Sequence, residues 1–300
     1  MPFGGQQLEC GKDKGGADPG QELVKERRKT MPTPRELYQA GQLQAAIQAL
    51  TAEVKAKPAD GPTRIFLFEL LSFAGDWDRA QKQIEVLGQA GPNEALAVQV
   101  YKANIEAERT RGRLFSEGLH PHFLNEPPPY VDRHLDAINR IREGNFAEAR
   151  TILDQAEEER PALPGTLNGR PFADFRDSDD VIGPVLELIV KDKYAWLPFE
   201  QIRRIEISPP SKLRDLVWAR AKVEALDGTV GDVYLPALYE GTCRNPDDQL
   251  RLGRMTAWVP LADDLSRGAG LKTFQAGDDD VALFEARLLE FQAAPPAAVS

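Results

Sequence analysis

Gly41-Gln42-Leu43-Gln44-Ala45-Ala46 and Gly75-Asp76-Trp77-Asp78-Arg79-Ala80 share one register 34 residues apart, and that register decides the reading of the N-terminal half. Leu50 and Ile84 follow the paired alanines at the same offset, and so do Pro58 and Pro92. A glycine, a large apolar residue, an alanine, a second apolar residue and a closing proline at these spacings form the tetratricopeptide pattern. The physics of a helical hairpin explains each position. Glycine accepts the left-handed backbone of a tight turn between antiparallel helices. Alanine lets the two helices approach closely, and Leu43 or Trp77 packs across the pair. Proline, with no amide hydrogen to donate, ends the second helix.

The register returns at Gly144-Asn145-Phe146-Ala147-Glu148-Ala149, with Leu153 and Pro161 in place. Between the second and third copies lie a helical pattern over Glu94–Arg109 and then Arg113–Tyr130, rich in proline and aromatic residues. The expectation is three recognisable repeats, with a degenerate helix and a long loop between the second and third. Stacked hairpins of this kind form a curved array with a concave face.

Outside the repeats the character changes. Residues 1–30 are rich in glycine and charge and lack apolar periodicity, so they read as a disordered tail. The tail carries one basic cluster, Lys25-Glu26-Arg27-Arg28-Lys29. After Pro161, the run Pro164, Gly165, Gly169 and Pro171 marks a connection. A helix is predicted over Val181–Val190, with the acidic run Asp177–Asp180 near its positive N-terminal end. Short strands follow at Ala195–Pro198, Ile202–Ile207, Leu216–Leu226, Val230–Leu235, Met255–Pro260 and Lys272–Phe274. Asp227-Gly228 between two of them is a hairpin signal. Asp278–Phe291, with Val281, Leu283, Phe284, Leu288 and Leu289, reads as an amphipathic helix.

The expected fold class is therefore α+β in two domains. The divisions are a tail (1–30), a tetratricopeptide-like helical hairpin array (31–164), a small α+β domain with an antiparallel sheet or partial barrel (165–292) and a frayed end (293–300). A length of 300 residues agrees with two domains of about 150 residues each.

Composition excludes several function classes. Lys and Arg total 37 against 47 Asp and Glu, a formal net charge of −10. That balance opposes a general nucleic-acid binder, which needs a cationic face. The first 30 residues lack the apolar run of a secretory signal. The longest apolar stretch, Val181–Val190, is interrupted by Pro184 and Glu187 and is too short to span a bilayer. Neither nucleic acid nor membrane is expected as a partner. Two cysteines, Cys10 and Cys243, one of them in the tail, fit a reducing cytoplasm without a structural disulfide.

Chemistry-bearing motifs are scarce. His120 and His122 flank Pro121, and His134 lies further on, but a zinc site needs three or four ligands in fixed geometry. Neither glycine cluster, Gly165–Gly169 or Gly228–Gly231, has the phosphate-loop pattern. No G-x-S-x-G or H-E-x-x-H occurs. No catalytic residue, metal or cofactor is expected. Trp196, Trp218 and Trp258 read as core. Arg214 and Asp215, taken as neighbours beside a strand, are expected to point to opposite faces and pair elsewhere.

A series of ordered motifs is more specific. Phe66-Leu67-Phe68-Glu69-Leu70-Leu71 leads through Gly75-Asp76-Trp77-Asp78-Arg79-Ala80. Later come Gly183-Pro184-Val185-Leu186-Glu187, Tyr194–Phe199, Leu213–Trp218, Leu235–Tyr239 and Leu252–Trp258. From about Leu37 to Phe291 the chain resembles the ImpE/TagJ (SciE-type) family of type VI secretion system accessory proteins. The resemblance implies a non-enzymatic adaptor in the cytoplasm. Its implied partner is the N-terminal helix of the small sheath subunit, with a link to the AAA+ ATPase that disassembles the sheath. The residues alone supply a helix-hairpin array suited to gripping a peptide and an acidic surface suited to a basic or amphipathic ligand. They leave open a generic peptide scaffold or chaperone, and an enzyme with its site in the C-terminal domain.

First helices of such repeats line the concave side. On that ground the candidate partner-binding residues are Phe66, Glu69 and Leu70 on one helix and Tyr101, Ile105 and Arg109 on the next. The loop Leu114–Tyr130 is expected to be either a lip for the partner or a plug between domains.

Overall fold

The computed structural model describes residues 32–89 and 91–292, so the tail and the expected frayed end lie outside the described residues. Seven helices come first: α1 Pro34–Gln39, α2 Leu43–Ala56, α3 Gly61–Phe73, α4 Trp77–Leu87, α5 Pro92–Glu117, α6 Pro129–Arg142 and α7 Phe146–Glu159. The three repeat glycines sit in the turns α1–α2, α3–α4 and α6–α7, with φ of +76° at Gly41, +66° at Gly75 and +81° at Gly144. Those backbone angles are the reason for glycine at the signature position. The small alanines of the second helices, Ala46, Ala80 and Ala149, are fully buried at the hairpin crossings. Asp60 and Asp76 cap α3 and α4, accepting hydrogen bonds from the amides of Thr63 and Arg79 at 3.2 and 3.3 Å.

Two details differ from the sequence reading. The α4 helix ends at Leu87, and Pro92 opens α5 instead of closing α4. Proline suits the first turn of a helix, where its missing amide hydrogen has no intrahelical partner. The helix expected over Glu94–Arg109 continues to Glu117, 26 residues in all.

The C-terminal half is built on a nine-stranded sheet in the order β1-β6-β5-β9-β8-β7-β14-β2-β3. Its strands are β1 His122–Phe123, β2 Gly165–Leu167, β3 Arg170–Phe172, β5 Val185–Val190, β6 Lys193–Pro198, β7 Ile202–Ile207, β8 Trp218–Ala225, β9 Val230–Pro236 and β14 Leu288–Phe291. All neighbours are antiparallel except β1, which joins β6 in parallel. A three-stranded sheet, β13-β12-β4, combines β4 Phe175–Asp177, β12 Thr273–Ala276 and β13 Asp279–Ala282. β10 Thr256–Ala262 and β11 Leu265–Gly270 form a separate hairpin, preceded by a one-turn helix, α8 Asp248–Arg251.

Two segments read as helices are strands. Val181–Val190 becomes a short 3-10 turn at Asp180–Ile182 followed by β5. Five of the six β5 side chains are buried, so the strand lacks the polar alternation that marks one exposed face. A short apolar run of this kind cannot be told from a buried helix by period. Asp278–Phe291 holds β13 and β14, with Gly277 at φ +64° in the turn from β12. Its leading residues Asp279 and Asp280 lie in β13 of that hairpin.

The two halves share one core. Leu67, Phe68 and Leu71 of α3 and Ile105 of α5 belong to the same buried cluster as Trp196, Trp218 and Tyr239. A second cluster, centred on Phe175, Phe199, Phe274 and Phe291, fills the sheet region alone. Trp196 and Trp218 are core as expected, but Trp258 on β10 is 43% exposed.

Candidate functional site

The C-terminal half packs against α3 and α5, the first helices that the repeat pattern assigns to the concave side. Trp218 lies 6.2 Å from the ring of Phe68 and 6.1 Å from each of Tyr101 and Trp77. Its indole donates to Glu108 of α5 at 3.2 Å. Just before it, Leu213–Leu216 forms a 3-10 turn, which corrects the strand-edge reading of Arg214 and Asp215. Arg214 reaches across the array, donating through Nη1 to Glu69 of α3 at 2.9 Å and through Nε to the Tyr101 hydroxyl at 2.6 Å. Its guanidinium also lies 5.0 Å from the Tyr101 ring centroid. Burial pushes the Glu69 carboxyl up, opposed by the Arg214 charge. Asp215 turns back on its own segment and accepts from the amides of Ser211 and Lys212 at 2.8 and 3.0 Å. Burial works against its charge, but those amides outweigh it and hold the carboxyl below its ordinary value.

Deeper in the contact, Arg111 of α5 forms a bidentate pair with Glu187 of β5, at 2.7 and 2.9 Å, and donates to the carbonyl of Leu238. Lys272 bridges Glu187 and Asp177 at 2.7 and 2.9 Å. The Tyr194 hydroxyl also donates to Glu187. Burial opposes the Glu187 charge, yet Arg111 and Lys272 hold its carboxyl far below the ordinary range. The first repeat is tied down separately. Asp248 accepts from the Leu43 amide at 2.8 Å and so caps α2, and Arg254 donates to the carbonyls of Tyr38 and Gln39 at the end of α1.

Beside this filled zone the concave side remains open. A groove of about 940 Å³ runs between α1, α2, α3 and the segment Pro210–Leu216. Tyr38, Leu50, Pro62, Ile65, Phe66, Leu213 and Leu216 supply its apolar wall. Ile65, on the open wall, is 37% exposed. Its polar rim carries Arg35, Glu53 and Lys212, none of which enters an ion pair among the described residues, whereas Glu69 is held by Arg214. The groove is thus not acidic, contrary to the surface expected from the net charge.

The six candidate residues separate accordingly. Phe66 and Glu69 line the groove. Leu70 and Ile105 are fully buried and expose no surface. Tyr101 is occupied by Arg214 and Trp218. Arg109 faces α4, where it pairs with Asp78 at 2.7 Å, and it also pairs with Glu106 of its own helix. Sequence reasoning missed the wall Pro210–Leu216. Pro209-Pro210 was the available signal, since it ends β7 and redirects the chain. The long loop after α5 plugs the junction: β1 extends the sheet edge beside β6, and Gln201 donates to the Glu126 carbonyl at 2.7 Å.

The histidines do not converge. His120 and His122 are exposed, and His134 is buried with Nδ1 3.1 Å from the carbonyl of Val181. Among the described residues no group of three or more His, Cys, Asp or Glu is placed to hold a metal ion. No described helix is long and apolar enough to cross a membrane. Cys243 is half-buried against the Gly75 turn, and Cys10 lies outside the described residues.

A tetratricopeptide-type array carrying a β-rich half in its concave face is the class that this geometry defines. Comparison with known proteins agrees. Residues 37–103 match the tetratricopeptide repeat, and residues 169–290 match the ImpE protein family. The type VI secretion system accessory component TagJ of Pseudomonas aeruginosa is 38% identical over 257 residues, covering 86% of this chain and 90% of that protein. A crystal structure of protein VPA1032 from Vibrio parahaemolyticus superposes with a TM-score of 0.79 at 24% identity, covering 86% of this chain and 97% of that one, and shares the fold. The chain belongs to the ImpE/TagJ family.

Proposed function

We propose that the protein is a non-enzymatic, cytoplasmic adaptor of the type VI secretion system that holds a helix of the small sheath subunit and helps link the sheath to its disassembly ATPase. The observation that carries this reading is the open groove beside α1 and α3. It is an open, largely apolar groove whose charged lining residue Glu69 is neutralised by Arg214 and whose other charged groups lie at its rim, the form that receives the apolar face of an amphipathic helix. Its size agrees. Two turns of helix, about 11 Å long and about 10 Å across, occupy about 850 Å³. Family membership supports the choice of system, because the TagJ relative is named as an accessory component of type VI secretion. Phe66 and Ile65 are the proposed anchors, with Glu69 behind them.

Calorimetric titration with a synthetic peptide of the small sheath subunit's N-terminal helix tests the proposal. Micromolar or tighter binding, about −8 kcal/mol, is expected. No heat at millimolar peptide overturns it and leaves a scaffold for some other partner.

A further inference from the structure

The groove has two walls of different origin. One is the first repeat and α3; the other is Pro210–Leu216, contributed by the C-terminal half more than 130 positions further along the chain. We infer that Pro210–Leu216 is a specificity strap for the groove, that Arg214 is the positioning residue that latches it to the array, and that Lys212 on its outer edge selects a carboxylate on the bound helix. This inference rests on the helix-binding reading above.

Three observations carry it. The strap owes its place to one side chain: Arg214 spans to Glu69, on the groove wall, and to Tyr101, which sit on two successive first helices of the array. A guanidinium held by a carboxylate, a hydroxyl and an aromatic face has one geometry, so the strap has one position. The strap is also stiff within itself, because Pro209-Pro210 fixes its entry and Asp215 accepts from Ser211 Oγ at 3.0 Å as well as from two amides. This fixed geometry presents Leu213 and Leu216 to the groove as a preformed apolar wall. Lastly, Arg214 neutralises Glu69, so among the described residues the charges left unpaired along the groove are Arg35 and Lys212 against Glu53. With Arg35 and Lys212 unpaired among the described residues, the groove favours a helix that carries an acidic residue beside its apolar stripe.

The test uses the full chain and the same sheath-helix peptide, with three variants: Arg214→Ala, Arg214→Lys and Lys212→Glu. Arg214→Ala is expected to weaken the peptide at least tenfold and to speed hydrogen exchange at the amides of residues 211–217, while the amides of α2 keep wild-type protection. Arg214→Lys recovers part of the affinity, since an ammonium reaches Glu69 but cannot hold both partners. Lys212→Glu, an exposed position outside the core, weakens binding several-fold with an unchanged melting temperature, and the loss shrinks as salt is raised. Wild-type affinity in a folded Arg214→Ala protein overturns the latch, and wild-type affinity in Lys212→Glu overturns the charge selection. If Arg214→Ala does not fold, wild-type affinity in Arg214→Lys overturns the latch instead. Loss of peptide binding by the wild-type chain itself falls on the helix-binding proposal and not on the strap.

Discussion

The concave side of the helical array meets two fates along its length. Along α3 and α5 it is filled by the chain itself: Trp218 stacks among Phe68, Tyr101 and Trp77, and Arg111 buries its charge on Glu187. Beside α1 and α3 it is left open, with Ile65 and Phe66 facing a channel. Both stretches are apolar, and both come from the same kind of repeat. The difference lies in what the sheet places opposite them. Where β8 and β5 press in, the surface becomes core; where only the turn at Leu213–Leu216 approaches, a groove remains. Stability should therefore reside at the filled end and affinity at the open one.

Four measurements break or sharpen that contrast. The largest effect is expected at the filled end. Removing Arg111 takes the bidentate hydrogen bonds from buried Glu187, leaving it to Lys272, and leaves buried Glu108 without its cation; breaking a buried pair costs about 3–5 kcal/mol. Arg111→Ala should lose that much in urea unfolding, and a loss below about 1 kcal/mol would show that Lys272 alone satisfies Glu187. Trp218→Ala should cost a similar amount, about 3–5 kcal/mol, through the cavity left among three rings. A smaller loss would mean that the array closes over the gap without the sheet.

Next comes a pH effect. His134 joins α6 to the turn at Val181, and burial lowers its pKa from 6.5 to about 4. The unfolded chain binds the proton more readily, so stability is full above about pH 6.5 and declines as pH falls towards 4, by roughly 3 kcal/mol from this group. His134→Gln should flatten the denaturation profile in that window. An unchanged slope would assign the acid sensitivity to carboxylates instead. The smallest stability effect belongs to the open end. Ile65→Ser should cost only about 1 kcal/mol, because more than a third of the residue already faces solvent. The same variant should weaken the sheath-helix peptide markedly. A large stability loss would mean that the groove wall is core after all.

The legible and illegible parts of the fold divide along physical lines. The hairpins were readable because Gly41, Gly75 and Gly144 answer a local demand for left-handed backbone, and Ala46, Ala80 and Ala149 answer a local demand for close approach. The β5 strand was not, because burial on both faces erases the period that distinguishes strand from helix. The candidate site was half legible. Phe66 and Glu69 could be placed on a first helix and so on the concave side. That Tyr101 would be covered and Leu70 and Ile105 enclosed could not be foreseen from helical spacing.

By itself the sequence determined the repeat and the family, since the repeat follows from residues within one hairpin and the family from short motifs read in order along the chain. Tertiary structure alone decided which part of the concave side stays open. That choice depends on Arg214 meeting Glu69, 145 positions earlier, and Trp218 meeting Glu108, 110 positions earlier. Contacts at such separation are set by how whole elements pack, and local sequence does not record them.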